Sequence, residues 1–326
     1  MINTENIFSI KTQSDFNTVA LEVFKFQFEN NAVYRSFCDL LYIHPSDVKR
    51  VEDIPFLPIS FFKTHSILST TDKIQETFTS SGTTGSVTSK HQVTNVSIYE
   101  ESFLKGFKHF YGNIEEYTIL ALLPNYLERE GSSLIYMVND LITKSKKPES
   151  GFYLNNLKDL TTKLERLEAQ GEKVLLIGVS FALLDLVEKH SFQLNNTIIM
   201  ETGGMKGRRK ELIREELHAI LKQGFGVQNI HSEYGMTELL SQAYSTGNGV
   251  FKCPNWMQVL TRDIEDALTI QSPGKTGGLN VIDLANINSC SFIATQDLGK
   301  VSQDSSFQIL GRFDHSDIRG CNLMVL

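Results

Sequence analysis

The stretch Thr79-Ser80-Ser81-Gly82-Thr83-Thr84-Gly85 sets two glycines and five hydroxyl side chains in seven consecutive positions, after the apolar Phe78 and before a polar exit. Glycine has no Cβ, so backbone N–H groups there can turn toward a ligand, and Ser and Thr hydroxyls add donors of their own. That combination suits phosphate oxygens. It is not a Walker A loop, because Ser86 rather than Lys follows Gly85. Ser/Thr/Gly clusters are also the ordinary composition of a solvated loop. The stretch by itself leaves both readings open, and the segments around it have to decide.

The chain's 326 residues suffice for one large α/β domain or two ordinary ones. A hydrophobic fraction of 41%, with 10% aromatic residues, supports a sizeable core rather than disorder. Lys and Arg total 31 against 38 Asp and Glu, and the net charge of −7 argues against nucleic acid as the main partner. The dense basic cluster Lys206–Lys210 (KGRRK) reads first as a solvated helix face. Cys38, Cys253, Cys290 and Cys321 form no CxxC pair and have no neighbouring His at ligand spacing, which argues against a cysteine-held metal. Scattered cysteines and no secretory signal fit a reducing cytoplasm. No apolar run approaches the roughly 18 residues of a membrane span.

A polar N-terminal region holds one helical stretch over 16–41, its apolar residues recurring at three- and four-residue steps. Residues 53–62 (DIPFLPISFF) carry two prolines and many large apolar groups, and read as an extended segment leading to the loop. Beyond the loop the pattern predicts helix 98–111, strand 117–123, helix 132–144, helix 157–169, strand 173–177 and helix 180–189. Strand 197–201, helix 206–222, strand 227–231 and a helix from Met236 follow. Strands alternating with helices imply parallel sheet layers, with ligands at the carboxyl ends of the strands. From about Gly249 short alternating strands take over, at 267–271, 278–284 and 291–294, and predict a small antiparallel or barrel-like section. No internal repeat, low-complexity tract or clear linker interrupts the chain. Residues 1–326 are therefore expected to form one domain, with about 250–326 as its β-rich closing part.

Directly after the strand expected to end at His231 comes Ser232–Glu238, SEYGMTE. Aromatic-Gly-x-Thr-Glu at a strand end would present a ring, a hydroxyl and a carboxylate at the sheet's carboxyl edge. A flat base can stack on the ring, the hydroxyl can bond a phosphate and the carboxylate can hold Mg²⁺. Thr295–Gly299 (TQDLG) follows strand 291–294, where an Asp can accept hydrogen bonds from ribose hydroxyls; an Asp in an ordinary glycine-containing turn is the alternative. Gly311–Gly320 (GRFDHSDIRG) supplies an Arg that can reach a ribose or a phosphate.

In this order the four motifs resemble the adenylate-forming superfamily of acyl-CoA synthetases, nonribosomal adenylation domains and luciferases, and they span Thr79 to Gly320. The pair Gly203–Gly204, within METGGMKGR, is similar to that family's glycine segment against the adenine. The resemblance implies an α/β fold, the large N-terminal domain of those enzymes, with parallel sheets layered by helices plus a small barrel-like β section. It also implies ATP and Mg²⁺. Ser80, Ser81, Gly82, Thr83, Thr84 and Gly85 would form the loop over the ATP β- and γ-phosphates. Tyr234 would flank the adenine, Thr237 would bond the α-phosphate and Glu238 would ligate Mg²⁺. Asp297 would hold the ribose hydroxyls, with Arg312 nearby. The implied reaction is attack of a substrate carboxylate on the ATP α-phosphorus, giving an acyl-adenylate and pyrophosphate, with catalysis by positioning and charge neutralisation.

Two departures refine the resemblance. Most members follow the loop with Pro-Lys, whereas here Ser86, Val87 and Thr88 follow Gly85, and Lys90 is the substitute the local sequence offers. Most members also continue past the GRxD motif into a C-terminal domain with a catalytic lysine; this sequence ends six residues after Gly320, so that domain is expected to be lacking. It has instead Cys321, in RGCNLMVL, near Arg319 and Arg312. An accessible thiolate near positive charge is a strong nucleophile, whereas a buried cysteine is a small hydrophobe. The layout is similar to the acyl-protein synthetases, the luciferin-component ligases of the bacterial fatty-acid reductase complex, as are Pro124–Met137 (PNYLEREGSSLIYM) and the ending GRFDHSDIRGC. That resemblance implies a carboxylic, fatty-acid substrate, acyl transfer to Cys321 and hand-over to an acyl reductase or an acyl carrier protein. Two alternatives stand beside it: a coenzyme A or carrier ligase completed by a separate chain, and a non-catalytic nucleotide- or acyl-binding subunit.

Overall fold

In the computed structural model, which describes residues 4–80, 87–124, 131–203 and 212–313, the chain opens with α1 (Thr4–Phe8). Helix α2 (Gln13–Asn30) starts in a capping box: the Thr12 hydroxyl accepts from the Asp15 amide while the Asp15 carboxylate accepts from the Thr12 amide. It stops at Asn31, whose extended backbone (φ −107°, ψ 104°) breaks the helix and whose side chain accepts from the Tyr34 amide to cap α3 (Ala32–Leu40). The single helix expected over 16–41 is thus two. Residues 53–62 are not extended throughout; they hold the two-residue strand β1 (Leu57–Pro58) and a single turn, α4 (Phe61–Thr64).

Strands β2 (Glu76–Thr79) and β3 (Lys90–Val93) pair antiparallel, a hairpin that the sequence pattern did not announce. The alternating run that follows holds α5 (Val96–Tyr111), β4 (Thr118–Leu122), α6 (Ser133–Ser145), β5 (Gly151–Phe152), α7 (Leu157–Ala169), β6 (Val174–Gly178), α8 (Ser180–Lys189), β7 (Thr197–Glu201), α9 (Arg214–Phe225) and β8 (His231–Tyr234). Asn95 and Asn156 cap α5 and α7 with their side chains. Every residue of β4 and β6 is buried, as befits parallel strands covered by helices.

Beyond β8 come β9 (Ala243–Ser245), β10 (Phe251–Lys252), β11 (Met257–Arg262), β12 (Thr276–Asp283), β13 (Phe292–Val301) and β14 (Phe307–Arg312). Among the described residues these continue the parallel strands in one sheet, ordered β11-β12-β13-β14-β10-β9-β8-β7-β6-β4-β5, with β1 added parallel to β13. The β-rich section is therefore antiparallel and joined edge to edge with the parallel part.

Three further expectations are corrected. The strand placed at 227–231 lies at His231–Tyr234, because pairing with β7 begins only at Met200–His231. Residues from Met236 turn back into β9 instead of forming a helix. Residues 267–271 form no strand, only an isolated bridge between Arg262 and Ile270.

The N-terminal helices dock on the antiparallel part through Phe292, which is fully buried. Its ring meets Phe24 at 6.1 Å and Phe56 at 6.3 Å edge-on, and stacks on Tyr34 at 6.0 Å. Phe292→Ala is expected to cost about 3–5 kcal/mol, read as a lowered urea midpoint, because three elements lose their shared contact at once.

Candidate active site

A cleft of about 580 Å³ opens at the carboxyl ends of β6, β7 and β8, lined there by Val179, Thr202, Gly203 and Glu233. The hairpin β2–β3 and the antiparallel strands close its other walls with Ser80, Ser89, Gln296 and Arg312.

The hairpin sets the entrance to the TSSGTTG loop. The Ser80 amide donates to the Ser89 carbonyl at 3.1 Å and the Ser89 amide donates to the Ser80 hydroxyl at 2.9 Å, closing the strands where the loop leaves them. Ser81, Gly82, Thr83, Thr84 and Gly85 lie outside the described residues, as do Gly204 and Cys321. Gly203 lies on the cleft wall with φ +74°, a conformation suited to glycine, and its amide donates to Glu201 Oε2 at 2.6 Å.

Thr237 and Glu238 both line the cleft, held by their carbonyls from behind. The ring of His91 is buried on β3 and bonds the Thr237 carbonyl from Nδ1 at 2.9 Å, so Nδ1 carries the proton. Burial pushes this histidine down to about 4 and keeps it neutral. Asn286 donates to the Glu238 carbonyl at 2.7 Å. The Glu238 carboxyl is buried against the cleft, and burial raises its pKa despite help from Ser89, Arg312 and Lys63. A buried carboxyl with its charge incompletely compensated fits a cation site. Mg²⁺ takes one or two carboxylates and completes its shell with water and phosphate oxygens, so a lone Glu238 suffices as a protein ligand.

Tyr234 and Asp297 form a second layer. The Tyr234 hydroxyl donates to Asp297 Oδ2 at 2.9 Å, and Arg312 Nε approaches Asp297 Oδ1 at 3.1 Å across the β13–β14 register pair. The Tyr234 ring is only 8% exposed and packs edge-on against Phe251 and Phe307. It is a packed wall rather than the open platform its place in the motif suggested. Nor is TQDLG a turn: Asp297 sits within β13, at a register shift between Leu298 and Gly299.

Several neighbours of the cleft were not legible in the sequence. Lys63, on α4, lines it, whereas Lys90, the expected substitute for a loop lysine, lines only a neighbouring depression with Phe62 and Gln92, which Lys63 also borders. Glu201 is buried beneath Gly203, with Arg214 Nε at 3.9 Å and His218 Nε2 at 3.6 Å. Burial alone would raise its pKa; His218, Ser232, Arg214 and the Gly203 amide together pull it below the ordinary value. A charged residue ending an otherwise apolar strand was its one visible signal. Asp283 accepts from the Leu240 amide at 2.7 Å and from the Ser241 hydroxyl at 2.5 Å, which pins the return from the SEYGMTE turn. The aromatics Phe152, Tyr153, Phe181 and Tyr244 do not line the cleft; Tyr244 packs instead against Phe110 and Tyr111.

Glu233 does line it. Burial, with the charge of Glu201 nearby, pushes its carboxyl up to about 8. The folded protein therefore holds a proton there that the unfolded chain releases near 4.5, so this group's contribution to stability falls as pH rises through that window. Glu233→Gln carries no such loss. The urea midpoint of the variant minus that of the wild type should increase steadily from pH 5 to pH 8, and a pH-independent difference would refute the assignment.

Comparisons with known proteins agree with this geometry. The family model described as acyl-protein synthetase, LuxE, matches residues 7–326. The long-chain-fatty-acid–luciferin-component ligase of Vibrio harveyi is 23% identical over 327 residues, covering 92% of this chain and 84% of that protein. Among solved structures, a 2-hydroxyisobutyryl-CoA ligase bound to its acyl-adenylate and CoA superposes with a TM-score of 0.68 at 12% identity, over 93% of this chain and 70% of that one. ATP-bound MatB from Rhodopseudomonas palustris gives 0.54 at 15% identity, over 74% of this chain. The present chain spans about half the length of MatB, 49%. At such identities the superpositions establish a shared fold, that of the adenylate-forming enzymes.

Proposed function

The chain belongs to the LuxE acyl-protein synthetase family, and from that premise we propose that it activates a fatty or related carboxylic acid with ATP and then carries the acyl group on Cys321. The observation that carries this reading is the convergence of Ser80, Gly203, Thr237, Glu238 and Arg312 on one cleft at the ends of parallel strands. These residues come from segments of sequence far apart, and a solvated loop would not explain their meeting.

In the first step an oxygen of the substrate carboxylate bonds to the ATP α-phosphorus as the bond to pyrophosphate breaks. Thr237 would donate to the α-phosphate, and Arg312 and Lys63, both on the cleft wall, would supply positive charge there. Glu238 would hold Mg²⁺, which when bound neutralises phosphate charge. Asp297, braced by the Tyr234 hydroxyl and Arg312, would accept from the ribose hydroxyls. Ser80 and the residues 81–85 that follow it would cover the β- and γ-phosphates, and Gly203 with Gly204 would lie along the base. Because the charge moves but little covalent chemistry is asked of the protein, holding these groups in place is the main contribution.

In the second step a thiolate attacks the acyl carbonyl and AMP leaves. Cys38 and Cys290 are buried with thiols pushed up to about 12, and Cys253 is also raised by burial. A thiol must ionise to attack, so these three are poor acceptors. Cys321 fits the acceptor role by the family resemblance, and an acyl reductase or acyl carrier protein would then collect the acyl group.

Two experiments test the two steps separately. Thr237→Ala and Glu238→Gln should each lower acid-dependent ATP–pyrophosphate exchange by roughly 10²-fold or more, with far-UV circular dichroism unchanged. Incubation with ATP and a radiolabelled acid should label the wild-type protein with a hydroxylamine-sensitive bond. Cys321→Ser should lose the label and keep the exchange. Equal labelling of Cys321→Ser would remove the self-acylation step and leave the activation step standing.

A further inference from the structure

The inner face of the cleft contains two polar side chains, Glu233 and Gln242, whose oxygens have no hydrogen-bond partner among the described residues. Glu233 on β8 stands opposite Tyr244 on β9, so successive residues of that face are Glu233, Gly235, Gln242 and Tyr244. Both Glu233 and Gln242 line the cleft. Gln242 is 5% exposed, and its side-chain carbonyl has no hydrogen-bond partner among the described residues. Burial and the Glu201 charge act on the Glu233 carboxyl, and no hydrogen bond to it occurs among the described residues. The two side chains meet over Gly235: a Cβ built there would lie 2.5 Å from Glu233 Oε1 and 3.4 Å from Gln242 Cγ. Tyr99, also on the cleft lining, spends its hydroxyl on the Ser133 carbonyl at 3.0 Å.

Buried polar groups in folded proteins are ordinarily paired, and a plain alkyl chain laid here would strand both of these. Leu134, Met137 and Val179 add apolar surface to the lining, beside Ser132, Ser133 and Thr202. Resting on the carboxylate-activating reading above, we infer that the acid taken by this protein is aliphatic but carries a hydrogen-bond donor, a hydroxyl or an ammonium group, which Gln242 and Glu233 accept. Toward a hydroxyl, a protonated Glu233 accepts through its carbonyl oxygen; toward an ammonium it accepts as the carboxylate. The pair thus sets specificity for the acid without touching the reacting carboxylate. A site built around a substrate donor rejects the analogue lacking it far more strongly than an apolar pocket rejects a missing methylene.

The test is ATP–pyrophosphate exchange by the full chain with octanoate and with its hydroxy and amino derivatives. The wild type should prefer one derivative over octanoate by roughly tenfold or more in kcat/KM. Hydroxy over amino, or the reverse, names the donor. Glu233→Leu and, independently, Gln242→Leu should bring that ratio toward one, while Glu233→Gln, which keeps an acceptor oxygen, should retain much of the preference for the hydroxy acid. Octanoate used as well as both derivatives by the wild type overturns the inference, as does a preference that survives both leucine variants; in either case exchange persists and the activation reading is untouched. Exchange with none of the acids, octanoate included, counts against the activation reading itself.

Discussion

Strand β8 has a parallel neighbour on one edge and an antiparallel neighbour on the other, and the architecture of the cleft follows from that. The chain must reverse between Tyr234 and Ala243 within a single sheet. It does so over the carboxyl edge of the parallel strands, the place where such sheets leave room for a ligand. A reversal buried on its inner side needs partners for its backbone polar groups. His91, Asn286 and Asp283 provide them, gripping the Thr237 carbonyl, the Glu238 carbonyl and the Leu240 amide in turn. None of the three needs to touch a ligand, yet together they hold the threonine and glutamate at the cleft.

The same reversal concentrates acidic groups. Glu201, Glu233, Glu238, Asp283 and Asp297 surround the turn, and burial raises the pKa of Glu233, Glu238 and Asp283. Glu201 escapes that fate through His218, Ser232, Arg214 and the Gly203 amide. Three of these carboxyls differ by their surroundings: Glu201 is charged and structural, Glu233 is protonated near neutrality, and Glu238 is buried beside a space that a phosphate-bound cation could share. Against these stand Lys63 and Arg312 at the wall. The Arg312–Asp297 bridge joins an exposed guanidinium to a buried carboxylate. Its consequence is geometric, fixing Asp297 beside the Tyr234 hydroxyl.

How much of this could be read beforehand differs from element to element. Helices α7 and α8 and strand β7 fall where periodicity put them, because each buries one amphipathic face or a continuous apolar run that local sequence displays. Strand β8 was displaced because HSEY is neither apolar nor alternating in an obvious way; what makes it a strand is pairing with β7 and β9. The helix expected from Met236 failed for a related reason: Asp283, distant in sequence, captures the Leu240 amide and draws the chain into a return. Asn31 was hidden inside a helical pattern since a single capping side chain does not disturb the periodicity around it.

The sequence by itself determined the chemical parts. Thr237, Glu238, Asp297 and Arg312 lie in short motifs whose residue types and order are visible in one dimension, and those motifs are enough to indicate the class of fold. Tertiary structure alone decided how these parts face one another. It turned the Tyr234 ring into the core, made the TQD segment a strand, brought Lys63 rather than Lys90 to the cleft, and set Glu233 and Gln242 side by side. The physical reason is that a hydrogen bond or a buried charge depends on partners brought together by sheet pairing across tens to hundreds of residues, and no local pattern in the chain records which partners those will be.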